Sequence, residues 1–493
     1  MYAATPEAAS RRSEDSSPAM MKFFALLTAF LFVQRVLAAD VSHPNIIYIL
    51  ADDLGFGDLS CYGQTTLSTP NIDRLAAEGM RFTRHYAGNT VCAPSRGVLM
   101  TGLHTGHGRI RGNGDWVLPD DDLTVPKLLK RAGYATACFG KYGLGKPKSE
   151  NDPKVKGFDE FFGYVDTSHA HNFYPAFLLH NGERVPLQNI QIPDSGKGGH
   201  EGKGVATLEG RKQWAPALIA EQVQNFLRAR KESNKPFFLY YALNLPHANN
   251  EAGKNSPLGH GLECPSYGEF AKKDWPDVEK GFAQFMRFVD GEVGAVAAAV
   301  KKLGMDENTV IMFSSDNGPH AEGLHDSDFF CSNGGLNGIK RSMTDGGIRV
   351  PFIVRWPLKV KAASVSEHLS GFQDFLPTVA ELAGASVPGE CDGISLVPTL
   401  LSAGQQRQHP FLYWSFDEQG GKTAVLKWPW KLIHLNTGGH SKKSAAGKTA
   451  QLEIQLFNLS EDAAESKNVA AAHPELVAEL QKDMAGAYRP PAN

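Results

Sequence analysis

The feature that most constrains the fold is a continuous apolar run at residues 45–51, which reads NIIYILA. The run is rich in β-branched residues and has no alternation of polar and apolar positions, which is typical of a strand buried on both faces. Such strands occur mainly in parallel sheets that have helices on both sides. The run therefore predicts an α/β domain built around a parallel sheet.

Strand-like and helix-like segments alternate along most of the chain. Further strand-like segments lie at 134–139, 236–243, 309–314 and 350–355, and apolar residues recur at helical spacing in 219–227 and 279–303. This alternation predicts a large, mostly parallel sheet with helices on both faces. We expect it to occupy residues 40–400.

The pattern changes after about residue 401. Short segments typical of antiparallel strands lie at 410–416, 423–427, 430–435 and 455–458, and apolar residues at 476, 480 and 484 follow at helical spacing. Residues 401–493 are therefore predicted to form a small C-terminal α+β domain with a short antiparallel sheet and a terminal helix. The segment 437–449, rich in Gly, Ser and Lys, is predicted to be a loop.

Residues 1–39 are predicted to be a leader and not part of the fold. Residues 23–33 form an apolar run, FFALLTAFLFV, which follows Lys22 and precedes Val36-Leu37-Ala38-Ala39, a small-residue cleavage pattern. This is the layout of a signal peptide, and the run is too short to span a bilayer; the alternative is a buried core helix. We expect an exported protein, periplasmic or secreted, with no membrane span after cleavage.

Composition excludes some functions. The formal net charge of −3 gives no sign of binding to nucleic acid. Six cysteines, at positions 61, 92, 138, 264, 331 and 391, form no CxxC pair, which argues against a zinc site and leaves disulfide pairing open.

Polar side chains follow two of the predicted buried strands. Asp52 and Asp53 come after 45–51, and Asp316 and Asn317 come after 309–314. Ligands of open α/β sheets bind beyond the carboxyl ends of strands, and adjacent carboxylates repel each other unless a cation neutralises them. Carboxylate and amide oxygens suit Ca²⁺ or Mg²⁺. The alternative is that each pair is a turn or a helix cap.

The most specific motif is Cys92-Ala93-Pro94-Ser95-Arg96, with Thr101-Gly102 shortly after it. It resembles the core signature of the type I, arylsulfatase-like sulfatases of the alkaline phosphatase superfamily; the alternative is a buried cysteine before a helix. The resemblance implies that Cys92 is converted to Cα-formylglycine by a formylglycine-generating or anaerobic sulfatase-maturing enzyme. It also implies that the hydrated aldehyde attacks sulfur, and that the motif opens a helix whose dipole favours a bound anion.

Other blocks match the family in the same order along the chain. They are residues 44–53, 55–58, 69–76, 140–145, 314–318, 338–341 and 346–351. The resemblance thus covers most of the mature chain, and it implies an alkaline-phosphatase-like α/β fold.

The resemblance implies a metal site. Asp52, Asp53, Asp316 and Asn317 are expected to bind Ca²⁺, and Mg²⁺ less readily, beside the formylglycine derived from Cys92. Bound sulfate oxygens would complete the coordination shell.

The resemblance also implies catalytic roles. Residue 92 would be the nucleophile, and Arg96 would hold its hydrated aldehyde. Lys141 and Lys340 would contact sulfate oxygens and stabilise charge during an in-line displacement. His247 follows a predicted strand and would be the general acid for the leaving group.

One position departs from the family pattern. Gly143 stands where the family usually has a histidine that assists collapse of the sulfated intermediate. Ser168, His169 and His171 lie downstream, and we expect one of the two histidines to supply the imidazole or to contact substrate. The family also has a serine that contacts sulfate or substrate in this region, and Ser168 is a candidate for it. Asp345, where many relatives have Glu, is a milder departure.

The sequence thus predicts a sulfuric ester hydrolase that acts on sulfated saccharides or glycans. Two alternatives stay open: a phosphomonoester or phosphonate monoester hydrolase of the same superfamily, and a catalytically weak protein that binds sulfated glycans. The basic side chains of 437–449 either meet a polyanionic glycan or are simply solvated.

Overall fold

The computed structural model describes Met1 and residues 43–114, 118–145, 152–195, 202–233, 235–252, 256–438 and 451–490. The predicted leader and the basic part of the 437–449 segment lie outside these residues. The chain divides into two units, Met1–Ser42 and His43–Asn493, and the following description concerns the second.

A large sheet lies at the centre of this unit. The strands in the first part of the chain are β1 (Asn45–Asp52), β2 (Met80–Phe82), β3 (His85–Tyr86), β4 (Ala135–Lys141), β5 (Glu160–Tyr164), β6 (Phe177–His180), β7 (Glu183–Pro186), β8 (Phe237–Pro246), β9 (Thr309–Ser315), β10 (Phe352–Arg355), β11 (Ser364–Ser366) and β12 (Ser370–Gly371). Ten of them form one sheet within the described residues, in the order β11-β2-β10-β9-β1-β8-β4-β5-β6-β7, while β3 pairs with β12.

The centre of the sheet is parallel. Strands β9, β1, β8, β4 and β5 run in the same direction, whereas β10, β6 and β7 join antiparallel to their neighbours at the flanks. The prediction of a mostly parallel sheet is confirmed. All eight residues of β1 are buried, as the unbroken apolar run predicted.

Helices cover both faces of the sheet. The helices of the described residues are α1 (Pro70–Ala77), α2 (Cys92–Thr101), α3 (Val125–Arg131), α4 (Ala215–Arg230), α5 (Asp277–Lys302), α6 (Asp345–Ile348), α7 (Phe375–Leu382), α8 (Val397–Leu400) and α9 (Pro474–Gly486), and those other than α6 and α9 pack on the large sheet. One core packs α2, α3, α7 and α8 against Ile46, Tyr48 and Leu50 of β1. The other packs α1, α4 and α5 against the alternate residues Ile47 and Ile49. Burying each such side chain contributes about 1.5–3 kcal/mol to folding.

A second, antiparallel sheet lies near the C-terminus. Its strands are β13 (Leu412–Phe416), β14 (Lys422–Lys427), β15 (Trp430–Leu435) and β16 (Glu453–Asn458), paired in chain order. Helix α9 packs on one face through Leu480 and Met484. The other face packs against Tyr86 and Ile348 of the preceding region. The predicted small sheet and terminal helix are confirmed, whereas a domain boundary at residue 400 stays a prediction.

Two further properties bear on the sequence predictions. Among the described residues, no helix combines the length and apolarity needed to cross a membrane. The six cysteines, all of them described, are unpaired thiols.

Candidate active site

The predicted site residues meet at the carboxyl ends of neighbouring strands. Asp52 ends β1 and Lys141 ends β4, while His247 follows β8 and Asp316 follows β9. Since these four strands run parallel, their ends lie at one edge of the sheet, where α/β folds bind ligands. The parallel topology therefore brings together side chains that are far apart in the sequence, such as Asp53 and Asn317, which are separated by 264 residues.

An acidic cluster forms the floor of the site. The ligand atoms of Asp52, Asp53, Cys92 and Asp316 lie within 4.8 Å of one another, and all four residues are buried. Asp53 adopts a left-handed backbone with φ of 64°, and its N–H donates to Asp316 Oδ1 at 3.1 Å. A non-glycine residue in this conformation stores strain, which is typical of functional sites.

Three buried cations face the three carboxylates. Arg96 contacts Asp316 Oδ2 through Nη2 at 2.7 Å and through Nε at 2.9 Å. Lys141 Nζ lies 2.7 Å from Asp52 Oδ2, and its carbonyl oxygen accepts a hydrogen bond from Arg96. Lys340 Nζ lies 2.8 Å from Asp53 Oδ2. Each of the three carboxylates therefore has a cationic partner, and no member of the cluster is exposed to solvent.

Arg96 also lies 3.3 Å from Asp52 Oδ1, and the two carboxyls that it contacts, those of Asp52 and Asp316, differ in pKa. Burial opposes ionisation of Asp52, but the charge of Lys141, together with the neighbouring His247 and Arg96, outweighs it and holds the pKa of Asp52 well below the usual range. Burial raises the pKa of Asp316 to about 7, against the opposing charge of Arg96, and the neighbouring carboxylates add to the rise. Ionising all three carboxyls together thus calls for more positive charge than the three side chains provide.

Asn317 has an acceptor that no described residue satisfies. Its Nδ2 donates to Asp53 Oδ1 at 2.7 Å, whereas its buried Oδ1 has no hydrogen-bond partner in the described part of the chain. Leaving a buried acceptor unpaired costs about 1–3 kcal/mol. An oxygen-binding cation beside Asp53 would remove that cost. The oxygen atoms of Asp52, Asp53, Asp316 and Asn317 therefore fit a hard divalent ion.

Cys92 is the first residue of α2. Its Sγ lies 3.4 Å from Asp52 Oδ1 and 3.3 Å from Lys141 Nζ. Burial raises the pKa of the Cys92 thiol well above its ordinary value. Cys92 is at the positive end of the dipole of this ten-residue helix, which favours an anion beside its side chain, although the Ala93 N–H already donates to Asn113 Oδ1 at 3.0 Å.

His247 lies between Lys340 and the strand that precedes it. Its Nδ1 is 2.6 Å from the Ala248 carbonyl oxygen, and its Nε2 is 3.1 Å from Lys340 Nζ. A carbonyl only accepts, so the proton is on Nδ1 and Nε2 accepts from the lysine. Burial, followed by the charge of Lys340, lowers the pKa of His247 and keeps the imidazole neutral.

The three candidates downstream of Gly143, which are Ser168, His169 and His171, have different surroundings. His171 stacks on His247, with 4.4 Å between ring centroids and 15° between planes. His169 bonds through Nε2 to the Phe177 carbonyl at 3.1 Å and packs edge-on against Tyr164. Ser168 is half-buried, and its backbone N–H donates to the Asp166 carboxylate. Of the two histidines, His171 is therefore the one in contact with His247.

Gly143 borders Arg96. Its φ is 73°, and a Cβ at this position would come within 3.1 Å of Arg96 Cδ and 3.5 Å of Thr167 Cγ2. A side chain here would be strained and would press on Arg96. His171 contacts His247 instead, so the two positions border different members of the cluster.

Sequence reasoning missed the side chains around His247. Glu322 Oε2 lies 2.9 Å from Lys340 Nζ, and Glu322 Oε1 lies 2.6 Å from Arg341 Nη2. Glu251 contacts Lys203 at 2.9 Å and lies 3.4 Å from His171 Nδ1. The available signal was position alone, since Glu322 is in the loop that starts with Asp316 and Glu251 follows His247 closely.

A cluster of oxygen ligands, a helix N-terminus and buried lysine and arginine side chains define a site for an anionic ester. Comparison with known proteins gives the family. Residues 44–385 match the model of the Sulfatase family, and residues 338–489 match the model described as N-sulphoglucosamine sulphohydrolase, C-terminal. The chain belongs to the sulfatase family and is a sulfuric ester hydrolase of the arylsulfatase-like type.

Individual relatives agree with this assignment. Arylsulfatase A of Bos taurus is 32% identical over 90% of this chain and 87% of its own length. N-acetylgalactosamine-6-sulfatase of Rattus norvegicus is 31% identical over 79% of this chain and 72% of its own. The crystal structure of Ps i-CgsB superposes with a TM-score of 0.73 and 26% identity over 91% of this chain and 94% of its own. Ps i-CgsB has also been solved in complex with k-i-k-neocarrahexaose.

Proposed function

We propose that this enzyme removes sulfate from sulfated saccharides, with a formylglycine at position 92 and a bound Ca²⁺. The observation that carries the proposal is the position of Cys92, at a helix N-terminus and within 3.4 Å of Asp52 and 3.3 Å of Lys141. A nucleophile at that position has an anion-binding helix end on one side and a cation on the other.

Asp52, Asp53, Asp316 and Asn317 are the proposed calcium ligands. Their clustered oxygens and the unpaired Oδ1 of Asn317 support this role. Ca²⁺ accepts sites made largely of protein oxygens, whereas Mg²⁺ retains several waters and demands near-octahedral geometry. When bound, the ion would supply Lewis acidity toward a sulfate oxygen and lower the pKa of a hydroxyl at residue 92.

The modified residue 92 would supply a hydrated aldehyde, one of whose hydroxyls attacks sulfur and whose collapse to the aldehyde releases sulfate. Arg96, already bonded to the Lys141 carbonyl, is proposed to hold this group in place. Lys141 and Lys340 are proposed to bind sulfate oxygens. Fixed positive charge at the transferring group stabilises the transition state, as in phosphoryl transfer.

His247 is the proposed general acid for the leaving alcohol. For this role Nε2, which accepts a hydrogen bond from Lys340 at 3.1 Å, would take up a proton when the anionic substrate binds and then donate it to the leaving oxygen. His171, stacked on the imidazole, would hold it in orientation. Ser168 and His169 remain proposed as residues near the bound substrate.

The proposed substrate class rests on relatives. One curated relative is named for N-acetylgalactosamine-6-sulfate, and Ps i-CgsB was solved with an oligosaccharide. A phosphonate monoester hydrolase is also a structural neighbour, but at 20% identity it shares only the fold. We further propose that the leader at residues 1–39 directs export, that a host maturing enzyme acts on Cys92, and that residues 401–493 form the C-terminal domain.

A substrate panel tests the function. Enzyme produced together with a maturing enzyme is assayed with sulfated monosaccharides and oligosaccharides beside the matched phosphate esters, and Cys92→Ala serves as the control. We expect release of sulfate that the variant abolishes. Faster hydrolysis of phosphate esters would favour the superfamily alternative, and binding of sulfated glycans without turnover would favour a weak binding protein.

A further inference from the structure

A carboxylate stands beside the proposed leaving-group acid. Glu322 Oε2 lies 3.4 Å from His247 Nε2 and 2.9 Å from Lys340 Nζ. Its other oxygen pairs with Arg341, and its side chain is only 15% exposed. The proposed chemistry gives this side chain no role, although it lies next to two groups that act on the substrate.

A second carboxylate, that of Glu251, lies beside His171, the ring that stacks on His247. The His171 ring stacks on His247, and Glu251 Oε2 lies 3.4 Å from His171 Nδ1. Glu251 is in turn paired with Lys203 at 2.9 Å. The surroundings of His247 are therefore mixed in charge, whereas a site for a densely sulfated polyanion calls for cations throughout.

The position of Glu322 determines which part of a substrate it meets. His247 is proposed to protonate the oxygen that leaves with the sugar. The substituent on the carbon next to the sulfated carbon then lies within reach of a carboxylate 3.4 Å from the same imidazole nitrogen. A hydroxyl there donates to the carboxylate, but a second sulfate is repelled by it.

We propose that Glu322 selects esters in which the neighbouring carbon bears a free hydroxyl, and that it excludes those in which the neighbouring carbon is also sulfated. This inference rests on the proposed function. It narrows the substrate class to saccharides that carry a sulfate at the reacting position and a free hydroxyl on the neighbouring carbon. Rejection works through an unfavourable charge contact that a wrong substrate cannot avoid.

Three aryl esters test the inference without knowledge of the sugar. They are 4-nitrocatechol 1-sulfate, its 2-methyl ether and its 1,2-disulfate, which place a hydroxyl, a methoxy group and a sulfate beside the reacting ester. kcat/KM is measured for the mature wild type and for Glu322→Gln. Because intrinsic ester reactivities cancel when two enzymes are compared, the change in each ratio reports on residue 322 alone.

We expect the wild type to prefer the hydroxyl ester, and Glu322→Gln to lower the hydroxyl-to-disulfate ratio at least tenfold. Glu322→Asp retains the charge and should retain discrimination against the disulfate. Glu78→Gln, which removes a carboxylate paired with Arg355 at 2.7 Å outside the site, should leave all ratios unchanged. Thermal melting of each variant verifies folding.

Contrary results have different meanings. An equal loss by Glu322→Gln on all three esters would overturn the inference alone, because it would show that the residue acts through Lys340 and not on the neighbouring group. If mature wild type hydrolyses saccharide sulfates of the panel but none of the three esters, a free hydroxyl beside the ester is not what the site selects, and the inference alone is overturned. If it hydrolyses neither, the proposed function is overturned together with the inference.

Discussion

At the scale of single residues, the site depends on nearly balanced buried charges. Asp52, Asp53 and Asp316 face Arg96 and two lysines, with no exposed member to relieve repulsion. The unpaired Asn317 oxygen and the raised pKa of Asp316 both indicate that the cluster accommodates more positive charge than the protein supplies. The metal proposal therefore has consequences for stability that can be measured without substrate.

Calcium should stabilise the wild type but not Asp316→Asn. A ligand that binds only the folded state stabilises it by about 2.7 kcal/mol at a hundredfold excess over Kd. The variant removes one anionic ligand and should lose most of that gain. Melting curves are recorded in EDTA and after adding CaCl₂, with Asp277→Asn, an exposed carboxylate paired with Lys280, as the control. Equal stabilisation of Asp316→Asn by calcium would exclude this site.

Replacing His247 should affect substrates according to their leaving groups. A general acid typically contributes about 10²–10⁴-fold when the leaving oxygen is basic. We expect His247→Gln to reduce kcat by that factor for saccharide sulfates and far less for 4-nitrophenyl sulfate, whose phenolate leaves without a proton. Steady-state kcat on both substrates checks this. The same loss on both would assign His247 to sulfate binding instead.

At the scale of elements, the sequence predicts long buried strands well and the short strands toward the flanks of the large sheet poorly. The apolar runs behind β1, β4, β8 and β9 were recognisable because both faces of these strands are buried. Strands such as β2, β7 and β11 have three or four residues and mixed burial, so pairing with neighbours defines them, not their own pattern. Strand β10 begins at Phe352 because Pro351 cannot donate to a ladder.

The site was predictable to the extent that its residues belong to motifs. Cys92 and Arg96 lie in one, and Asp316 and Asn317 in another, and the structure brings them together. Glu322 was missed because contacts across the fold, not neighbours in sequence, place it beside His247. His169 and His171 are two residues apart and have different surroundings, which no spacing rule separates.

The turn after β1 contains a buried carboxyl, that of Asp58, which should make the free energy of unfolding depend on pH. Asp58 accepts the Gly55 N–H at 2.7 Å, and burial raises its pKa to about 7. The unfolded chain releases this proton near pH 4, and the folded chain retains it until about pH 7. This carboxyl therefore lowers stability progressively as pH rises between those values.

Asp58→Asn should remove that dependence. Relative to the wild type, the variant is expected to gain up to about 4 kcal/mol between pH 4 and pH 7, because a shift of one pKa unit corresponds to about 1.4 kcal/mol. Urea unfolding midpoints at several pH values measure the difference. A constant difference between the two proteins across this range would show that Asp58 titrates normally.

At the scale of the whole molecule, a buried ion network links the small sheet to helix α6 and strand β3. Lys431 on β15 is fully buried, with Nζ 2.7 Å from Asp345 Oδ1 and 2.8 Å from Glu465 Oε1. Asp345 also accepts from the Tyr86 hydroxyl and contacts Arg349. Aspartate at position 345 is thus engaged in a structural contact and not in the acidic cluster of the site.

Removing one partner from this network should be costly. Lys431→Met leaves two buried carboxylates short of a cation, and breaking a buried pair in this way costs about 3–5 kcal/mol. Lys427→Met removes a partly exposed pair with Glu479 and should cost about 1 kcal/mol or less. Urea unfolding followed by tryptophan fluorescence compares them. Equal effects of the two substitutions would contradict a linking role for Lys431.

The most direct measurement is the chemical identity of residue 92 in active enzyme. The protein is purified from a host with a maturing enzyme, digested, and the peptide that contains residue 92 is analysed by mass spectrometry and by reaction with a hydrazide. We expect an aldehyde in place of the thiol, in proportion to sulfatase activity across preparations. Full sulfatase activity from protein in which residue 92 is only cysteine would contradict it.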